Sequence, residues 1–353
     1  MKYFGIIGEN EELVHNALSY LHATNIIVIK KNIISFETEF HHRLQTCASL
    51  IKWGIVLDHQ TLEKKIISDT VGVADNKFGV HLKKQFNLLK RFKLVELIHT
   101  DLEIKNEGQE VVSLGENIYG LVQGYQNISL YETIDFNKPV GGMGIGMMPS
   151  KLALTLINIG VGEYEDLSSS TVQNGQLTIR DPFCGFGTTN FLANHLGYNT
   201  IGSDINTTQA KQNRKRRINK TLSQETVKSF FLKQDVTKEL KSPIFRHATI
   251  IVSEGRLGNT VTSRTAPATM HMYASQVQTV YTVFAKNLTE YQKDKKPVTL
   301  IMTIPVWLKY EISISQTILE QFASLGRTAR LIEQPYSREK QLVGRQILIA
   351  NFL

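Results

Sequence analysis

Two short segments hold the side chains best suited to chemistry. Residues 181–190 read DPFCGFGTTN and residues 202–206 read GSDIN. Gly185 and Gly187 let the backbone turn sharply and leave room for a ligand to approach the main chain. Asp204 lies 19 residues beyond Gly185, the distance at which nucleotide-binding α/β sheets set a carboxylate to accept hydrogen bonds from a ribose. Asn190 stands where G-x-G-x-x-G would have its third glycine. A bare G-x-G is a weak signal, and the acid ahead of the turn sharpens it: Asp181 suits a cationic or amine-bearing ligand and not a pyrophosphate. The plain alternative is a tight strand-to-helix turn with no ligand.

S-adenosylmethionine carries an ammonium, a sulfonium and a ribose but no phosphate, and so fits this set of groups. Two further acids fall at the ends of later strand candidates, Asp235 and Glu254. A buried carboxylate at each strand end needs donors, and such a ligand supplies them. For Asp235 the competing reading is a helix N-cap.

The elements that must position these groups follow from periodicity. Strand candidates are residues 177–180, 200–203, 228–234, 248–253, 298–306, 329–333 and 345–352. Helical patterns fill 188–195, 275–292 and 313–326. Alternation of this kind predicts an α/β fold with an open, mostly parallel, doubly wound sheet. Only a loop joins the last two strands, so they are expected to pair antiparallel. Ligands of such sheets bind beyond the carboxyl ends of the strands, where Asp181, Asp204, Asp235 and Glu254 would converge. Before about residue 135 the texture differs. Short β-like runs (3–7, 26–29, 33–38, 54–57 and 93–97) mix with amphipathic helices at 11–21 and 81–91, an α+β region. A glycine-rich stretch, 138–160, then opens into a helix for which Ser150 is the expected N-cap.

The 353 residues carry a formal net charge of +8, which favours a polyanionic partner. Basic residues cluster in 81–94, with Lys83, Lys84, Lys90, Arg91 and Lys93, and again in 211–220, with Lys211, Arg214, Lys215, Arg216, Arg217 and Lys220. A solvated helix face is the alternative for either run. Two cysteines, Cys47 and Cys184, exclude a disulfide framework and a four-cysteine zinc site, and the ten histidines show no ligand spacing with them. Cys184 has no histidine at a recognisable spacing and reads as a small packing residue. No apolar stretch reaches the ~18 residues of a membrane span, and the run at 3–7 is too short for a signal peptide. The expected setting is cytoplasmic, with no membrane partner.

DPFCGFGTT with GSDIN, preceded by GMMPSKLALTLIN and closed by YSREKQLVGRQILI, resembles the class I methyltransferases that methylate guanine-N2 of tRNA and carry an N-terminal THUMP-type RNA-binding region. YFGIIGENEELVHNALSYL is similar to that family's opening strand and helix. NKFGVHLKKQFNLLKRFKL with YETIDFNKP resembles a trimmed THUMP region and its link. The resemblance implies a Rossmann-like class I methyltransferase sheet of seven strands over 136–353, preceded by a smaller α+β THUMP-like domain over 1–135. It implies S-adenosylmethionine as cofactor, with Asp181, Phe183, Gly185 and Gly187 around its methionine part and Pro149 closing over that end. Asp204 would take the ribose hydroxyls, Ile205 and Val236 the adenine faces, and Asp235 the adenine amino group. Lys83, Lys84, Lys90 and Arg91 would contact nucleic acid, most simply tRNA. Some relatives need a small activating subunit; oligomeric state is left open.

The chain departs from that family at its next signature, an acid followed by two prolines and an aromatic. Here residues 253–258 read SEGRLG. Glu254 keeps an acid that could accept from an exocyclic amine, Gly255 keeps a backbone carbonyl, and the Arg256 guanidinium could stack on a base. Ser253, Glu254 and Arg256 are the candidate catalytic residues, with no metal. An active nucleobase amino-methyltransferase on RNA, its DNA-acting counterpart, and a decayed cofactor- and RNA-binding protein are the competing readings. Arg327, Arg330 and the loop with Tyr336, Arg338 and Lys340 are further candidates to line a substrate cleft.

Overall fold

The computed structural model describes residues 1–8, 11–73, 76–85, 93–96, 108–136, 148–168, 177–215, 229–240, 249–292, 297–338 and 341–352. They form two compact units, Met1–Glu11 with Leu21–Gln126, and Glu12–Tyr20 with Asn127–Leu353. The division therefore falls after Gln126 and not after residue 135, and one N-terminal segment is exchanged. Helix α1 (Glu11–Leu18) packs with the second unit because it buries Leu13, Val14 and Ala17, and its Glu12 carboxylate accepts from the amides of Glu333 (2.8 Å) and Gln334 (3.0 Å).

The first unit is an eight-stranded sheet in the order β2-β3-β1-β4-β8-β7-β5-β6. Its strands are β1 (Lys2–Ile7), β2 (Thr24–Lys30), β3 (Ile33–Glu37), β4 (Leu50–Asp58), β5 (Thr70–Val73), β6 (Lys93–Glu96), β7 (Gln109–Gly115) and β8 (Ile118–Tyr125). Helices α2 (His59–Lys65) and α3 (Asn76–Gln85) complete it. Phe4, Val112 and Leu114 form one core cluster, with Ile33, Val56 and Val122 against it. Periodicity located β1, β2, β3, β4 and β6 but not β5, β7 or β8.

The second unit opens with α4 (Ile128–Phe136) and α5 (Ser150–Ser168). Then come β9 (Thr178–Asp181), α6 (Thr188–His195), β10 (Asn199–Asp204), α7 (Thr208–Lys215), β11 (Ser229–Lys233), β12 (Ile250–Ser253), α8 (Pro267–Gln292), β13 (Val298–Trp307), β14 (Ile312–Ser313), α9 (Ser315–Ser324), β15 (Thr328–Leu331) and β16 (Val343–Phe352). The strand order is β11-β10-β9-β12-β13-β16-β15, with the short β14 against β13. Strands β9 to β13 run parallel, and β16 inserts antiparallel between β13 and β15. The expected α/β fold is therefore present, and all seven sheet strands read from the sequence are found. Burial on both faces explains why β13 reads as the near-continuous apolar run VTLIMTIPVW. Its Pro305 lies beyond Met302, which pairs with the last β12 residue, Ser253, so no β12 partner loses a donor.

Ser150 differs from expectation. Ala153 N donates to the Pro149 carbonyl (3.0 Å), so Pro149 opens α5 and Ser150 is already helical. The orphan Ser150 amide is satisfied by Asp135 Oδ1 (2.9 Å), a carboxylate well placed at a helix N-terminus. Among the described residues no helix is long and apolar enough to cross a membrane.

The 3-10 turn that follows α1 (Ser19–Leu21) meets helix α5 at Gly162, where an added Cβ would lie 2.6 Å from the Ser19 carbonyl carbon. Backbone cannot yield as a side chain can. Gly162→Ala should therefore lower stability by about 1–2 kcal/mol, overpacking exceeding the gain in helix propensity. Urea denaturation checks this, and an unchanged or raised midpoint would contradict it.

Candidate functional site

Strand β9 ends at Asp181 and the chain turns through Pro182 to Gly187 into α6. Gly185 (φ +46°) and Gly187 (φ +85°) hold left-handed conformations that favour glycine. The turn is tied to its neighbour: Cys184 N donates to the Ser203 carbonyl (3.0 Å), and Gly185 N to Asp204 Oδ2 (3.0 Å). Asp204, at the end of β10, also accepts from Asn206 N through Oδ1 (3.1 Å). Asn213 on α7 donates to the Phe186 carbonyl (3.1 Å).

Asp181 is only 3% exposed. Its Oδ1 accepts from Ser253 Oγ (2.6 Å) and Phe183 N (3.0 Å). Burial pushes its carboxyl up from 3.8 to about 6; bonds from Ser253, Thr189 and Phe183 oppose this, and the Asp204 charge adds to it. A carboxylate so destabilised by burial gains most from a cationic donor. Cys184 is buried beside it, and burial followed by the charges of Asp181 and Asp204 pushes its thiol up. It is no nucleophile.

A cavity of about 660 Å³ opens at the carboxyl ends of these strands, within the usual range for a small-molecule site. Asp181, Phe183, Gly185, Asp204, Ile205, Asp235, Val236, Glu254 and Arg256 all line it. Ile205 is 64% exposed, an apolar face available to a flat ring. Asp235 Oδ1 accepts from Thr237 N (2.9 Å) and Thr237 Oγ1 (2.7 Å), which hold its carboxyl below the usual range. It caps a single turn, with Lys238 N on its carbonyl (3.2 Å), and begins no helix. Met148, Thr188, Thr189, Gln234, Thr237 and Val280 also line the cavity; Met148, Thr188 and Thr189 lie within the quoted motifs, while Gln234, Thr237 and Val280 carry no motif signal.

Three expected site residues stand elsewhere. Pro149 is buried at the start of α5, and its neighbour Met148 reaches the cavity instead. Gly187 shapes the turn behind the wall: a Cβ there would lie 3.0 Å from Phe191 and 3.2 Å from Phe231. Ser253 is fully buried, so it is a strut and not a reacting group. Its hydroxyl donates to Asp181 and accepts from Gly255 N (3.1 Å).

The SEGRLG turn is rigid without prolines. Thr303 Oγ1 donates to the Glu254 carbonyl (2.6 Å). The Tyr281 hydroxyl meets the carbonyls of Thr303 (3.0 Å) and Arg256 (3.3 Å). Burial pushes that phenol well up, so it stays a neutral donor. Gly255 (φ +73°) presses on the same ring, its missing Cβ 2.9 Å from Tyr281 Cζ. The Tyr281 ring also stacks on Phe183 at 6.1 Å, so one side chain braces both turns. The Glu254 carboxylate is held from β16: Arg345 Nε (2.8 Å) and Nη2 (2.7 Å) both donate to Oε1.

Other candidates lie off the cavity wall. Arg327 sits over the Phe352 ring at 5.4 Å, and Arg330 pairs with Glu163 at 2.5 Å. Tyr336 exchanges backbone hydrogen bonds with Arg345 (2.8 Å each) and accepts from Arg338 Nε (3.4 Å). Lys83 and Lys84 are exposed on α3 of the first unit; Lys90, Arg91, Arg216, Arg217, Lys220 and Lys340 lie outside the described residues. Among the described residues no group of His, Cys, Asp or Glu side chains could hold a metal ion.

The sequence matches no protein-family description and no curated protein. Among solved structures it is similar to TrmN from Thermus thermophilus, at 12% identity over all of both chains with a TM-score of 0.47. It is also similar to a possible methylase from Clostridium difficile 630, at 12% identity over 99% of this chain and 97% of that one, TM-score 0.45. A third is the magnesium protoporphyrin IX methyltransferase ChlM of Synechocystis with bound SAH, at 12% identity over 63% of this chain and 93% of that one, TM-score 0.39. Similarity this remote leaves the reaction to be argued from the residues themselves.

Asp181 binds its proton more tightly folded than unfolded, so stability falls as pH rises between 3.8 and about 6. From about pH 4 to about pH 7 the ligand-free protein should lose, relative to Asp181→Asn, about 2 kcal/mol. Chemical denaturation of both across that range measures it, and parallel pH profiles would refute the assignment.

Proposed function

We propose that this chain is an S-adenosylmethionine-dependent methyltransferase acting on the exocyclic amino group of a nucleobase, with guanine-N2 of tRNA as its substrate. The observation that carries the reading is the convergence of four acids, Asp181, Asp204, Asp235 and Glu254, around one cavity at consecutive strand ends. Four carboxylates round a cavity repel a phosphate-bearing ligand and welcome one rich in donors and positive charge.

When bound, S-adenosylmethionine supplies an electrophilic methyl group on a sulfonium. Asp181 accepts from the ammonium and exchanges a dry environment for an ion pair. Asp204 keeps its bonds to Gly185 N and Asn206 N and still has acceptor capacity for the ribose hydroxyls. Asp235 accepts from the adenine amino group, with Ile205 and Val236 against the ring. On the substrate side, Glu254 accepts a hydrogen bond from the target amine and so turns the nitrogen lone pair toward the methyl group. The Gly255 carbonyl takes the second amine hydrogen, and Arg256 stacks on the base or meets a phosphate. Most of the rate comes from alignment. The basic residues Lys83, Lys84, Lys90 and Arg91 contribute nucleic-acid affinity.

A second reading is favoured by one observation: the Glu254 carboxylate is already bonded to Arg345. If that pair closes the slot, the protein binds cofactor and RNA without chemistry. Labelled cofactor incubated with tRNA or with duplex DNA separates the readings. Transfer to tRNA above duplex DNA is expected; cofactor binding with no transfer to any nucleic acid supports the second reading. Glu254→Ala should reduce kcat on the order of 10²-fold or more while cofactor affinity holds. A lost cofactor affinity would show that Glu254 belongs to the other half of the cavity.

Neutralising Lys83, Lys84, Lys90 and Arg91 together should flatten the dependence of log affinity for tRNA on log salt by about 3. An unchanged slope would assign the run to a solvated helix face.

A further inference from the structure

We propose that Arg345 is the positioning residue that keeps the Glu254 carboxylate charged and turned toward the cavity. This rests on the methyltransferase reading for its consequence in catalysis, but the pairing itself is a property of the chain alone. The backbone of Arg345 is fixed from two sides. On one it pairs with Pro305 of β13, and on the other it exchanges both hydrogen bonds with Tyr336. Glu254 follows β12, which lies on the far side of β13. The two side chains together must therefore span two strand spacings, about 9–10 Å, a reach that suits the longest cationic side chain opposite a glutamate.

The pair is nearly dry, with side-chain exposures of 6% for Arg345 and 13% for Glu254. A buried ion pair is a poor device for stability, since desolvation offsets most of the attraction. With Glu254 on the wall of the acid-lined cavity, it does something an apolar pair cannot. It keeps a carboxylate ionised where burial alone would favour its neutral form, and a neutral acid cannot accept from an amine as strongly. A guanidinium carries its charge across the working range, and here its Nε and Nη2 both donate to one oxygen, Oε1.

The charged and titratable groups placed around Glu254 include Arg345 from β16, Tyr281 from α8, Arg256 in its own turn and Asp181 at the end of β9. Asp181 adds repulsion, and Tyr281 stays neutral. Arg256 lies two residues along the same turn and lines the cavity, where it is available to substrate. Arg345 is thus a counter-charge fixed from outside the turn.

The test uses the full chain with ¹³C-labelled glutamate, the Glu254 carboxyl resonance being assigned by its loss in Glu254→Gln. In Arg345→Met the midpoint of its titration should move up by at least about one pH unit, and Arg345→Lys should restore most of that shift. The acid limb of the methyl-transfer profile should move in the same direction. At neutral pH, kcat should fall on the order of 10²-fold with little change in KM for the cofactor. Cofactor affinity measured by calorimetry confirms that each variant is folded. An unmoved Glu254 midpoint overturns the proposal, as does a shifted midpoint with unchanged kcat and pH profile in an active protein. If wild type transfers no methyl group, the methyltransferase reading fails, while the NMR midpoint still decides whether Arg345 holds Glu254 charged.

Discussion

The hydroxyl of Ser253 donates to Asp181 and accepts from the amide of Gly255. One buried oxygen thereby joins the end of β9 to the turn after β12, and those two places carry opposite halves of the proposed reaction. Asp181 faces the amine-bearing ligand; residues 254–256 face the group to be modified. Both strands belong to one mixed sheet and pair directly in parallel, so their ends lie side by side, but the pairing stops at Arg180 and leaves the last residues to side-chain bonds. The bridge is short, sheltered from water and made to an acid, the conditions in which a hydrogen bond is strongest.

From that bridge the remaining contacts spread outward. Tyr281 meets the carbonyls of Thr303 and Arg256 and stacks on Phe183, and Thr303 in turn donates to Glu254. A proline pair would rigidify such a turn through its own rings, independent of what surrounds it. Here rigidity comes from three other strands and a helix, each bond contributing about 0.5–1.5 kcal/mol net. Stiffness of this origin depends on packing across the whole sheet, so the slot is only as well defined as the positions of β13, β16 and α8.

This explains which parts were legible in the sequence. The strands of the second unit showed as apolar runs because both faces of the sheet are covered, and the acids stood out because each ends such a run. Gly185 and Gly187 announced themselves through the conformations only glycine adopts easily. Nothing local marked Ser253 as a strut. A serine at a strand end is unremarkable until its partner, 72 residues earlier, is known. Arg345 was hidden in the same way, inside a strand-like stretch and 91 residues from Glu254. The start of α5 was misplaced by one position, at Ser150 where Pro149 caps the helix, because helix starts are decided by which carbonyl accepts first. Strands β7 and β8 were missed because QEVVSLG and IYGLVQGY mix glycine, serine and glutamine into the pattern. Helix α1 looked like part of the first unit by sequence order, and it is the caps at Glu333 and Gln334 that attach it to the second.

The two halves of the cavity are linked through Ser253. The carboxylate that would receive a ligand ammonium, Asp181, is also the acceptor for its hydroxyl, and the same oxygen accepts from the amide of Gly255, which is left-handed and packs against Tyr281. Arg345 closes the arrangement from outside, fixing the side chain of Glu254 as the serine bridge fixes its backbone. With Glu254 held at both levels, its carboxylate has a directional constraint supplied by tertiary contacts in place of local sequence.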